Sequence, residues 1–498
     1  METPFVTAIQ QYEKELIDFS AVSRLYEHND MLWLDSKQRN NQAFDALDFI
    51  VSASRHGLNA DDYHLTTLKQ LDPSQDDKTA EYFEVLLTDG LLALIHDLAV
   101  GKLIANEVDP QWFIPQDLFD SVSFLQQALL SPYLKNQLDS LFPKTHDYRQ
   151  LIAALARYQN YVDRGGWEYI SSMPLIRPGD SHQNIPLIRM RLALEDKLFF
   201  IQESTSNSEE YDELTEQAVR RFQKHHALKI DGAIGTETLY EMNVSAEDRV
   251  KQIKVALERQ RWLPTDLGKR YVIINLANYT LRAVDDNVEK LAMRVIVGKV
   301  DRPTPSFAGG IATLVVNPYW TVPYKIAVLD LLPKQKADFN YFYLHDIRVF
   351  STESGQRVEK DPYLIDWQSL SKRNFPYTLR QEPGLHNALG SIKFLFPNPW
   401  AIYLHDSPHK ELFDKAKRNF SSGCIRVEDP RGFAEFMLTD SNDHQRLSDI
   451  LLNKENKGLK LAEPLPIYAV YVTVSIVGDE VIFSPDSYKR DQKIAEKL

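Results

Sequence analysis

Cys424 is the only cysteine in the chain, so no intramolecular disulfide can absorb it and no thiolate partners make it part of a cysteine-rich zinc site. A free thiol, with a pKa of about 8.5, becomes a good nucleophile when an imidazole can take its proton. His405, in the run Tyr403-Leu404-His405-Asp406, is the candidate base. A lone cysteine is commonly an inert, buried apolar residue, but the neighbours of this one argue for chemistry. Ser421, Ser422 and Gly423 precede it, and Arg426 follows two residues later. On a strand, Arg426 would share a face with Cys424 and favour a thiolate or a substrate carboxylate there. Gly423 permits a sharp turn, so that main-chain N–H groups at Gly423 and Cys424 can face a developing oxyanion.

The elements between them must bring these groups together. Ala401-Ile402-Tyr403-Leu404 reads as a short strand after the breakers Pro397-Asn398-Pro399, placing His405 where the strand leaves its sheet. From His409 to Phe420 the chain is rich in helix formers, with Leu412, Phe413 and Ala416 at helical spacing, and this segment is expected to be helical. What orients His405 is left between a backbone carbonyl and Asp406.

The pattern H-x15-S-S-G-C-I-R, from His405 to Arg426, resembles the signature of the YkuD-type L,D-transpeptidases, cysteine enzymes that cross-link bacterial peptidoglycan. Many small members carry His before the Gly-Cys pair. Ser422 stands there in this chain, as in the large periplasmic branch of Gram-negative bacteria. Two further runs resemble that branch: Asn317-Pro318-Tyr319-Trp320-Thr321-Val322-Pro323 and Gly384-Leu385-His386-Asn387-Ala388-Leu389-Gly390. The resemblance implies Cys424 as nucleophile, His405 as general base and acid, and Gly423 as an oxyanion backbone donor. It implies Arg426, Ser422, Tyr403, Trp320 and Asn387 as substrate-binding residues, and ranks His386 below His405 as a base. It also implies peptidoglycan stem peptides and glycan as partners, and β-lactams of the carbapenem type as inhibitors. No cofactor and no metal is called for. His405 and His409 are separated by Pro408, and no Glu follows the first His as in a zinc peptidase helix.

The composition bounds the rest. A chain of 498 residues with 43% hydrophobic content is long enough for two to four domains. A net charge of −13 argues against nucleic acid as a partner. No apolar run reaches the roughly 18 residues of a membrane span; Leu91 to Val100 is broken by His96 and Asp97. The first residues lack a signal sequence, whereas the resemblance implies the periplasm, so a signal or anchor segment is expected to be absent from this chain.

The fold class expected is multidomain α+β. Residues 1–172 read as a helical scaffold domain, with an amphipathic pattern from Tyr82 to Leu98. Residues 173–246 resemble a small three-helix peptidoglycan-binding domain, from Ala218-Val219 through Asp231-Gly232 and Gly235 to Leu239. Residues 247–498 read as a mostly β YkuD-type catalytic domain, entered by a basic amphipathic helix over 250–262. Its strands are expected at 271–276, 279–284, 290–297, 311–316, 401–404, 424–427, 467–476 and 481–483. A capping insertion at 331–382, without long periodicity, reads as a mobile lid or a surface insertion. Two other functions stay open at this point: a peptidoglycan-binding scaffold with weak thiol activity, and a cysteine L,D-carboxypeptidase that trims stems.

Overall fold

The computed structural model describes residues 9–27, 29–196, 199 and 207–498. Contacts divide the chain into one unit of Met1–Asp266 with Val472–Leu498 and a second of Leu267–Tyr471.

The first unit is built on helices. Asp77–Val100, its longest helix, starts where the Asp76 carboxylate accepts from the Thr79 N–H and buries residues from Ala80 to Val100. Ile185–Glu195, Glu213–His225 and Thr236–Asn243 enclose a smaller core containing Ile188, Val219, Phe222 and Met242. Ala246–Arg261 differs from the basic connector expected. Arg249, Arg259 and Arg261 are buried and paired, with Glu241, Asp491 and Glu258 respectively. Buried cations need such partners, because an unpaired charge out of water costs several kcal/mol. The expected strand 467–476 is also split. Its first part ends a strand of the second unit, whereas Val474–Val477 pairs with Glu480–Phe483 in the first unit.

In the second unit, Arg270–Asn275, Thr280–Asp285 and Val288–Gly298 form an antiparallel meander. Asp286 and Asn287 turn the last hairpin with positive φ, the backbone a tight two-residue hairpin turn requires. Lys457–Val470 lies beside Arg270–Asn275 and also beside Ser306–Val316. Ile392–Leu395 pairs with Ser306–Val316 on one edge and Leu404–His405 on the other. Ile425–Val427 then joins Leu404–His405 to Val288–Gly298, so the sheet closes on itself. Leu314, Phe394, Leu404 and Ile425 are register partners in that order and all are buried. Side chains one residue along each strand therefore point away from this core.

The capping segment is a folded subdomain. Gln356–Lys360, Ile347–Glu353, Thr378–Gln381 and Trp320–Thr321 make a separate sheet in that order. It packs with a π-helical turn, Ala327–Leu331, and the helix Leu332–Ala337 around Phe342, Trp367 and Leu379. The insertion expected at 331–382 lies in this subdomain, and it showed no long periodicity because its elements are too short for an amphipathic pattern to register. Phe342→Ala should cost about 3–5 kcal/mol within this subdomain. Hydrogen exchange should rise there first; uniform protection in the variant would show that the cluster holds nothing.

Candidate active site

Leu404–His405 and Ile425–Val427 are parallel, with His405 opposite Arg426. Cross-strand partners share a face, and residues two apart on an extended chain do too. Cys424, Tyr403, His405 and Arg426 are thereby gathered on the side of the sheet facing away from the barrel core. The Tyr403 and His405 rings lie 5.7 Å apart. Parallel strands need a crossover, and the expected helix over His409–Phe420 does not supply it. Only a 3-10 turn, Lys410–Asp414, forms, followed by Asn419–Ser421 pairing with Val288–Gly298. Sheet pairing there outcompetes the weak local helix propensity.

The imidazole is oriented by main chain. His405 Nδ1 lies 2.6 Å from the Asp406 carbonyl, an atom that can only accept, so the proton sits on Nδ1 and Nε2 is left with a lone pair. Burial, then the Arg426 charge, pushes His405 down to about 3, so it rests neutral. The Asp406 carboxylate is used elsewhere. It accepts from Ser391 N and Oγ, each at 2.8 Å, from Ser407 N at 2.7 Å, and from Lys410 Nζ at 2.6 Å. Gly390, with φ +61°, lies so close that a Cβ would sit 2.4 Å from this carboxylate.

Burial raises the Cys424 thiol above its ordinary pKa, although a main-chain hydrogen bond from Tyr403 and the Arg426 charge act the other way. The resting pair is thus thiol and neutral imidazole. Gly423 turns with φ +116°. Its N–H donates to Ser421 Oγ at 3.1 Å, and Ser421 Oγ donates to the Cys424 carbonyl at 2.5 Å. This corrects the assignment of Gly423 as an oxyanion donor, because its N–H is already occupied. The Cys424 N–H has no partner among the described residues. Thr304, which the sequence reading passed over, donates from Oγ1 to the Gly423 carbonyl at 2.9 Å and accepts from the Gly298 N–H at 2.9 Å. Its flanking prolines, Pro303 and Pro305, were the available signal.

Arg426 is largely buried, has no carboxylate partner among the described residues, and leaves Nε without an acceptor. Ser422 is exposed and its hydroxyl accepts from Arg302 Nη1 at 3.0 Å, while Arg302 also pairs with Asp330 at 2.6 Å. Burial raises the Tyr403 hydroxyl well above its ordinary pKa, with the Cys424 thiol acting the same way and the Trp320 side chain against it, and Tyr403 packs against the cluster that contains Trp320. Trp320, expected to bind substrate, belongs to the core of the capping subdomain. Asn387 is corrected too. It is buried, its Nδ2 donates to the Pro318 and Glu382 carbonyls at 2.9 Å each, and its Oδ1 accepts from Leu389 N, so it braces a loop. His386 is exposed near His345.

Residues 269–478 match the family described as L,D-transpeptidase catalytic domain, YkuD. Residues 269–478 thus resemble a YkuD-type catalytic domain. Residues 20–155 match a scaffold domain, and residues 187–242 match a family described as "Putative peptidoglycan binding domain". A curated relative from Haemophilus influenzae, described as "Putative L,D-transpeptidase", is 36% identical over 251 residues, which is 50% of each chain. The chain thus spans about half the length of the curated relative it matches. Solved L,D-transpeptidases from Stackebrandtia nassauensis and Xylanimonas cellulosilytica align at 12% and 13% identity with TM-scores of 0.21 and 0.17. They cover 59% and 60% of this chain, and 94% and 99% of their own. The YkuD match begins at the first barrel strand and contains the Cys424 loop, the His405 strand and the capping subdomain. Among the described residues no helix is long and apolar enough to cross a membrane, and no cluster of acids, histidines or cysteine could hold a metal ion.

The neutral imidazole makes a pH prediction. Unfolded, His405 takes a proton near pH 6.5; folded, it does so only near 3. The unfolded state therefore binds more protons between those values, and His405 removes stability as pH falls through that window. His56, held down at about 4 chiefly by burial, adds to the same slope. His405→Gln should reduce the stability lost between pH 7.5 and 4.5 by up to ~2 kcal/mol in urea titrations. An unchanged loss would mean that His405 is charged in the folded chain.

Proposed function

We propose that this chain is a peptidoglycan-modifying cysteine acyltransferase that makes 3-to-3 cross-links between peptide stems. The observation that carries the proposal is the His405 Nδ1 bond to the Asp406 carbonyl, which leaves Nε2 as the acceptor on the face shared with Cys424 and the unpaired Arg426. In the first half-reaction Cys424 Sγ attacks the carbonyl between the third residue of a tetrapeptide stem and its terminal D-Ala. His405 Nε2 takes the thiol proton and gives it to the departing amine. The unoccupied Cys424 N–H donates to the oxyanion. The thioester then yields to the side-chain amine of a second stem. Arg426 favours the passing thiolate and holds a stem carboxylate.

The matched segments divide the work in this reading. Residues 187–242 hold peptidoglycan, and residues 20–155 form the scaffold. The setting is the periplasm, and carbapenem-type β-lactams acylate Cys424 in place of the stem.

Incubation with purified disaccharide-tetrapeptide, followed by mass spectrometry, tests the reaction. Wild type should give cross-linked dimer, Cys424→Ala none, and His405→Gln about 10²–10⁴-fold less. Tripeptide without dimer would turn the assignment to an L,D-carboxypeptidase; cross-linking by Cys424→Ala would sink the mechanism. A carbapenem should add one adduct to the intact mass, and Cys424→Ser should abolish it. An adduct on another residue would contradict the assigned nucleophile.

A further inference from the structure

The row that contains the imidazole extends one strand further. Lys393 is the register partner of His405 on the side opposite Arg426, so Lys393, His405 and Arg426 lie side by side across adjacent strands. Paired Cβ atoms in such a ladder are about 5 Å apart. The residues beside this row, Phe394, Leu404 and Ile425, are buried in the barrel core, so Lys393 stands on the site face with the imidazole. Beyond it come Val315 and the exposed Gly458.

Lys393 is about half-buried and makes no hydrogen bond or ion pair among the described residues. Burial lowers its pKa. The nearest acid in sequence on the neighbouring strand, Asp406, faces the other way and is taken by Lys410, Ser391 and Ser407. In a chain of net charge −13 with 70 acidic residues, a partly desolvated ammonium without a carboxylate is uncommon. A site that binds an anion from solution needs such a group.

We infer that Lys393 holds the α-carboxylate of the amino acid whose amine leaves the acyl group, and then that of the amine that enters. The inference rests on the reaction proposed above. His405 gives its proton to the leaving amine, so the leaving residue sits over the imidazole, and its α-carboxylate is one carbon away from that nitrogen. Arg426 lies toward Cys424, and Lys393 is the cation on the far side. In the second half-reaction the incoming amine attacks the thioester carbon, the C–N bond forms as the C–S bond breaks, and the amine's proton passes through His405 Nε2 to Sγ. The attacking nitrogen must occupy the place the leaving nitrogen vacated. A diaminopimelate side chain ends in an amine and a carboxylate on the same carbon, as D-alanine does, so one lysine reads both.

The test offers the full chain a disaccharide-tetrapeptide donor with D-methionine and D-methioninamide as competing acceptors, and counts the two exchange products by mass. Wild type should favour the free acid by about tenfold, the scale of one charge-assisted contact. Lys393→Met should bring the ratio close to one, while Lys393→Arg keeps a preference for the acid. A Lys393→Met protein with the wild-type ratio overturns the inference. A second measurement needs neither turnover nor a variant: protection of wild-type Cys424 from iodoacetamide by the tetrapeptide against its C-terminal amide. Equal protection by acid and amide also overturns it. Preferential protection by the acid, in a protein that makes no exchange product, would remove the proposed reaction and leave the carboxylate site standing.

Discussion

Parallel pairing of two very short strands holds the site together. Leu404–His405 and Ile425–Val427 supply few ladder bonds of their own, and each is fixed by the neighbour on its outer edge. Because the side-chain period is two, a slip of one residue would send His405 into the core and bring Leu404 to the site face. Leu404 and Ile425 prevent this by filling the barrel interior, where no polar group could replace them without loss. The apolar residue in each pair thus sets the position of the reactive one beside it.

The electrostatics of the site follow from the same placement. Burial keeps the imidazole neutral and raises the thiol, so the resting protein stores no ion pair. The protein's own carboxylate, Asp406, is turned to the opposite side of its strand and used to hold a loop. What remains beside the sulfur is positive and unpaired. In the proposed reaction an anionic substrate would complete a charge balance that the folded chain leaves open.

Reading the sequence located the thiol and the imidazole because residue type and motif sufficed for them: one cysteine, one histidine at the right spacing and a glycine turn. It also placed the meander and the small helical core, whose periodicities are long enough to register. It failed where roles depend on partners distant in sequence. Trp320 and Asn387 lie in motifs, yet their buried contacts with Tyr403, Pro318 and Glu382 make them structural. Thr304 is separated from Gly423 by most of the catalytic unit, and Lys393 gains significance only from the register with His405. The helix over 250–262 read as basic and amphipathic, since nothing local reveals that Asp491 lies against its Arg259.

That last pairing has a consequence for the order in which the chain can be made. The first unit is discontinuous, and everything from residue 267 to 471 emerges from the ribosome before its closing piece. Until then, Arg259 lacks Asp491, Asp109 lacks Arg490, and the His226 ring lacks the Phe483 face on which it stacks. A nascent chain would therefore hold Arg259 and Asp109 with only each other as partners, and keep an open apolar surface, through the whole synthesis of the barrel. The N-terminal unit begins first and finishes last, which leaves a long interval during which a holdase has a defined surface to cover.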